Sequence, residues 1–189
     1  WDAVRRLPPG ANAHLTRENP SLTRVVVGMS WDAGQDLTLK ESLVPLTLLC
    51  TGAGKVPDQN HVVFHNQMIS DGVFIEADEL GTHPDDEQVV IDLNAVPPEI
   101  DRIVFVLTVD AATTSRNLGN LRSCVFRVRD DGTGRELIES VDLVPHLGQG
   151  TAAVLASVYR HQGHWKAKIH ADVYSRGLAG VADDYRFSW

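Results

Sequence analysis

Apolar and polar positions along the chain fall into many short runs separated by turn residues. LTRVVVGMSW is rich in β-branched valine and too short for a buried helix, so it is expected to be a buried strand ending near Gly28. From Asp36 the apolar positions alternate through Leu37 and Leu39 and then fill Leu43 to Leu49. This pattern predicts further strands, with Pro45 placing its own stretch at an edge or bulge. TGAGKVPDQNH is a turn cluster and HVVFHNQ a short strand. DLNAVPPEIDR reads as a short helix capped by Asn94 with prolines in its first turn. Two hairpins follow. RSCVFRVRDDGTGRELIESVDL alternates about a DDGTG turn, and TAAVLASVYRHQGHWKAKIHADVY turns at His161-Gln162-Gly163-His164. GLAGVADDY predicts a closing short helix, and the proline-rich lead-in from Leu7 to Pro20 is expected to be irregular or an edge strand. Short strands at turn-marked spacing define an all-β, two-sheet β-sandwich with one or two short helices, expected to be a single domain over residues 1–189.

One segment breaks this alternation. Between Phe64 and Val109, Asp71, Glu76, Asp78, Glu79, Asp85, Asp86 and Glu87 crowd into a loop interrupted by Gly72, Gly81 and Pro84. Apolar runs at Val89–Ile91 and Ile103–Leu107 set this loop among buried strands. Carboxylates at such density repel one another unless solvated, partly protonated or neutralised by a cation. Three readings follow: a solvated acidic loop, a site for a hard cation with oxygen ligands such as calcium, or a carboxylate pair dividing acid and base roles.

Charge narrows the function classes. The formal net charge is -8 and the seventeen basic residues are scattered, which argues against binding nucleic acid or an anionic membrane. Arg127 and Arg129 share one strand face, read as an exposed sheet face. No apolar run has transmembrane length and no signal-peptide core is visible, so direct membrane insertion is not expected and the cytoplasm is. A first residue of Trp, without an initiator Met, suggests that the chain starts after its natural beginning. Cys50 and Cys124 lie in apolar runs and read as buried thiols in a reducing compartment.

Motifs of nucleophilic or nucleotide chemistry are weak. His161 and His164 form an H-x-x-H pair that, with Asp172, offers a metal or catalytic dyad, against the simpler reading of solvated turn histidines. GAGK lacks phosphate-loop spacing, and no serine has a nucleophile-elbow context. Trp31-Asp32 follows the first strong strand, where Asp32 is either a turn aspartate or a neighbour of the acidic loop.

Several ordered motifs together resemble the TerD family, the tellurium-resistance and stress-response proteins of bacteria. LPPGANAHLTRENPSLTRVVVGMSWD resembles the family's N-terminal pattern. FHNQMISDGVFIEADELGTHPDDEQVVIDLNAVPPEIDRIVFVLTV resembles its central block, and VYRHQGHWK with GLAGVA its C-terminal hairpin and close. The resemblance implies a β-sandwich holding calcium in acidic loops and working with protein partners of a stress system. It places metal ligation on Asp32, Asp78, Asp85, Asp86 and Glu87, with no catalytic residues and no nucleic acid. This sequence departs from the pattern where Ser42 and Val44 stand at the family's alternating aspartates, where Pro84 replaces a glycine, and in a loop about two residues shorter; Asp36 substitutes only if the loop is re-registered. Losing two oxygen ligands weakens a calcium site severely. The expected function is therefore a non-enzymatic TerD-like stress protein that binds calcium weakly. The alternatives are a metal-free interaction module and, more remotely, a hydrolase using Asp or His near the acidic loop.

Overall fold

The computed structural model describes residues 5–78, 81 and 83–189. Two sheets face each other across a shared apolar core. The first contains β1 (Arg5–Leu7), β3 (Arg24–Asp32), β6 (Ile69–Ser70), β7 (Val73–Ile75), β8 (Glu87–Asp92), β10 (Ser123–Asp130) and β11 (Glu136–Ser140), ordered β1-β11-β10-β3-β8-β7-β6. The second contains β2 (Asn12–His14), β4 (Leu43–Cys50), β5 (Val62–Val63), β9 (Arg102–Val109), β12 (Ala152–His161) and β13 (His164–Val173), ordered β2-β13-β12-β9-β4-β5. Two helices, α1 (Leu37–Ser42) and α2 (Leu178–Tyr185), complete the expected all-β sandwich.

Period-two alternation sorts each strand between core and surface. On β3, Val25, Val27 and Met29 enter the core; on β10, Cys124, Phe126 and Val128 do; on β9, Ile103, Phe105 and Leu107 meet them from the other sheet. The opposite face of the second sheet is also apolar, at Leu46, Leu48, Val104, Val106 and Val154. It is covered by Val181 of α2 with Tyr185 and Phe187. That explains why β4 and β9 read as continuous apolar runs.

Both hairpins and the closing helix match the sequence pattern. Pro45 pairs with Leu107 of β9, but β5 reaches only Thr47 and Leu48 on the other side, so the proline stands where β4 is locally an edge. Both cysteines are buried free thiols, and burial pushes each up to about 12.

Three expectations need correction. The segment from Leu37 is helical before it is extended, because the Asp36 carboxylate caps α1 by accepting from Leu39 N (3.0 Å). Asn94 begins no helix. Asp92 takes the Asn94 N–H on its side chain and those of Ala95 and Val96 on its carbonyl, closing turns, and Pro97-Pro98 then supplies no further donors. Finally, β3 does not end near Gly28 but runs on to Asp32. The reason lies on its outer face.

Candidate functional site on the outer face of the first sheet

Register places Glu139, Arg127, Gly28 and Gln88 side by side on β11, β10, β3 and β8. These residues form one row on the solvent side of the sheet. The acidic loop leaves β7, returns as β8, and lays the Asp85 carboxylate over Gly28. A Cβ at position 28 would fall 2.2 Å from Asp85 Oδ2, so only glycine leaves room for the carboxylate. Gly28 is a seat within the strand, which a reading of glycine as a strand end misses.

Asp85 is held there by charge and hydrogen bonds. Ser30 Oγ donates to Oδ1 (2.6 Å), and Arg127 Nη1 donates to the same oxygen (2.8 Å). The Asp85 side chain is 3% exposed. Arg127 extends the network to Glu139 (3.3 Å) and Glu136 (3.3 Å). A cavity of about 250 Å³ lies between Pro84, Asp85, Arg127, Arg129 and Glu136. Burial, then the neighbouring Glu139, raises the Glu136 pKa, with Arg127 opposing.

The five residues expected to ligate metal are not equivalent. Asp85 is a buried structural acid. Asp86 closes the same loop: its N–H donates to Met29 O (2.9 Å), and its Oδ2 accepts from Trp31 N (2.7 Å). Desolvation raises the Asp86 pKa, against the Trp31 N–H and the nearby Lys40 of α1, which lower it. Asp32 lies at the exposed end of β3 and accepts from Gly34 N (2.7 Å), making an Asx turn. Asp78 accepts from His83 N at 3.3 Å. Glu79 lies outside the described residues. Glu87 starts β8 opposite Met29, on the side of the strand that carries Val89 and Ile91 into the core. Among the described residues, no three His, Cys, Asp or Glu side chains converge as a metal-ligand set. The donor set therefore does not fit a preformed calcium cage: its best-placed carboxylate already faces a guanidinium, and the next lies near an ammonium. Ser42 is buried and shares a hydrogen bond with Thr113 Oγ1 (2.6 Å).

Glu87 supplies a pH signature. Burial raises its carboxyl to about 7 from 4.5. Between those values the folded chain keeps a proton that the unfolded chain has lost, so stability falls as pH rises through that window. Glu87→Gln should raise the melting temperature by about 8 °C at pH 8 and leave it unchanged at pH 4. Melting curves across that range check this, and an equal gain at both pH values would remove Glu87 as the titrating group.

A serine–histidine–aspartate line stands elsewhere, on the second sheet. Ser157 Oγ lies 2.8 Å from His170 Nε2, and His170 Nδ1 lies 3.5 Å from Asp172 Oδ2. Sequence spacing groups Asp172 with His161 and His164, and no motif marks Ser157. Ser157 is mid-strand and 1% exposed, so an incoming carbonyl has no approach to its oxygen.

The sandwich, the acidic loop laid over one sheet and the Gly28 seat together frame the comparison with known proteins. Residues 4–185 match the TerD domain. The chain belongs to the TerD family. It is 36% identical to general stress protein 16U of Bacillus subtilis (strain 168) over 189 residues, covering 95% of each chain. It is 34% identical to the tellurium resistance protein TerD of Serratia marcescens over 188 residues, again 95% of each. A crystal structure of a TerD homologue from Streptomyces coelicolor A3(2) superposes with a TM-score of 0.59 at 17% identity, covering 82% of this chain and 91% of that one, and shares the fold. TerD relatives are thus named for resistance and stress. Among the described residues no helix is long and apolar enough to cross a membrane.

Proposed function

We propose that this TerD-family chain is a non-enzymatic stress-response protein that works in the cytoplasm through protein partners, and that its acidic loop holds calcium only weakly. The observation that carries this reading is the Asp85 seat. Arg127 Nη1 at 2.8 Å and Ser30 Oγ at 2.6 Å already satisfy the carboxylate oxygen best placed to bind a metal. An internal guanidinium thus does for this loop what a bound cation does for a crowded carboxylate cluster. The substitution of Ser42 and Val44 for acidic ligands points the same way. The closed Ser157 line supports a role without catalysis, and two buried free thiols suit a reducing compartment. The names of the relatives supply the setting, tellurium resistance and general stress, as a proposal for this chain.

Calorimetric titration of calcium into chelator-treated protein, with magnesium as control, tests the metal clause. The expected dissociation constant is weaker than about 10⁻⁴ M, with little preference over magnesium. Micromolar binding selective for calcium would overturn it. No heat at millimolar calcium would favour the metal-free interaction module, for which the Asp85–Arg127 pair is the specific support.

A further inference from the structure

The opposite charge gathers on the other sheet. At the tip of the β12–β13 hairpin, Gln162 (φ 52°) and Gly163 (φ 78°) form a two-residue turn with positive φ at both positions, which sets His161 directly across from His164. Lys166 pairs with His14 of β2. Trp165 and Ala167 enter the core between them, so His164, Lys166 and His14 share the outward face. The junction is fixed: Trp165 N donates to Thr16 Oγ1 (2.9 Å), and Leu15 N donates to Trp165 O (2.9 Å).

The cavity at this junction, about 260 Å³, is lined by His14, Arg17, His161, Gln162 and His164. Each of these side chains offers nitrogen donors and none is a carboxylate. His14 Nδ1 is buried and has no hydrogen-bond partner among the described residues. Arg17 is exposed and forms no ion pair among them. A guanidinium and an ammonium beside the imidazoles repel a metal cation and attract an anion. In a chain of net charge -8, such a donor-only pocket is a local reversal of sign.

We propose that the His14–Arg17–His161–His164 pocket is an oxyanion site, built for a divalent anion of the phosphate and sulfate class. Arg17 supplies the planar donor fork, the hairpin histidines and the Gln162 amide complete the donors, and Lys166 adds charge from β13. The site is coupled to protons. Burial, then Lys166 and Arg17, lower the His14 pKa; Glu18 raises it and His161 lowers it slightly further. An anion offsets those cations and favours protonated His14, so binding takes up protons and strengthens as pH falls.

Sulfate is the probe of choice, because it stays a dianion throughout the range and only the protein titrates. Calorimetry at constant ionic strength should show saturable one-site binding at pH 6, weakening about tenfold by pH 8. Arg17→Ala with His161→Ala, both exposed positions, should reduce the pH 6 affinity at least about tenfold while leaving the melting temperature unchanged. Affinity retained by that double variant would overturn the site, as would a response that chloride reproduces at equal ionic strength. Phosphate run in parallel then orders the two anions.

Discussion

Arg127→Met should destabilise the protein by about 3 kcal/mol, lowering its melting temperature by close to 10 °C. The cost comes from what is left behind. Asp85 is 3% exposed and faces Ser30, which carries no charge, so without the guanidinium its carboxylate is buried without a counter-charge. Arg127 itself is 30% exposed, which places the effect at the lower end of the range for breaking a buried pair. Adding Asp85→Asn should recover most of the loss, since it removes the uncompensated charge while keeping the side chain's shape over Gly28. Denaturant melts of the two single variants and the double close the cycle. A single Arg127→Met variant within about 1 kcal/mol of the parent would show that the pair does not hold the loop. Gly28→Ala probes the same seat from below: its methyl displaces Asp85 and should reproduce much of the Arg127→Met loss.

This seat also accounts for what the sequence revealed and concealed. The sandwich was legible because burial follows local periodicity: both hairpins carry their turn residues, and β9 is apolar from Ile103 to Leu107 because the covered outer face demands it. The acidic loop was legible as composition. Its anchor was not, because Arg127 lies forty-two positions from Asp85 and local alternation assigns it only to a face. Gly28 misled for a related reason, since a glycine in a strand marks either an end or a close approach, and only the tertiary position of Asp85 decides which. The α1 error was of another kind. Asp36 is an N-cap that a period-two reading of Leu37 and Leu39 overrides, although Leu39 is buried and Leu37 exposed, which strand alternation would have put on one face. At Asn94, the double proline that suits a first helical turn proved equally compatible with a chain of turns.

The two candidate sites use opposite chemistry on opposite sheets. Asp85 is a carboxylate closed off by an internal cation, whereas the His14 pocket gathers cationic donors with no internal carboxylate among its lining residues. In a protein of net charge -8, the first limits what cations can gain by binding and the second provides a place where anions are favoured. Ion sensitivity in this chain is therefore expected to appear with anions before calcium.

Phe126→Ala should lower stability by about 4 kcal/mol while leaving both charged sites chemically unchanged. Phe126 of β10 and Phe105 of β9 are both fully buried, and their rings meet across the sandwich with centroids 5.3 Å apart and planes inclined at 54°. Truncation leaves a cavity between two sheets whose strands are fixed by their ladders and cannot collapse inward, so the transfer loss and the cavity cost add. The ring contact contributes about 1 kcal/mol of this, which a cycle with Phe105→Ala should return as coupling. Its neighbour makes the test informative: Phe126 points inward and Arg127 outward on adjacent positions of one strand. Loss of the first should shift the whole melting curve equally at pH 5 and pH 8 and at low and high salt. Loss of the second should be largely reversed by adding Asp85→Asn, because its cost is the uncompensated buried charge left over Gly28 and not a cavity. If Phe126→Ala instead altered the salt dependence, the inner and outer faces of β10 would be coupled, and the separation of core from charged surface would have to be abandoned.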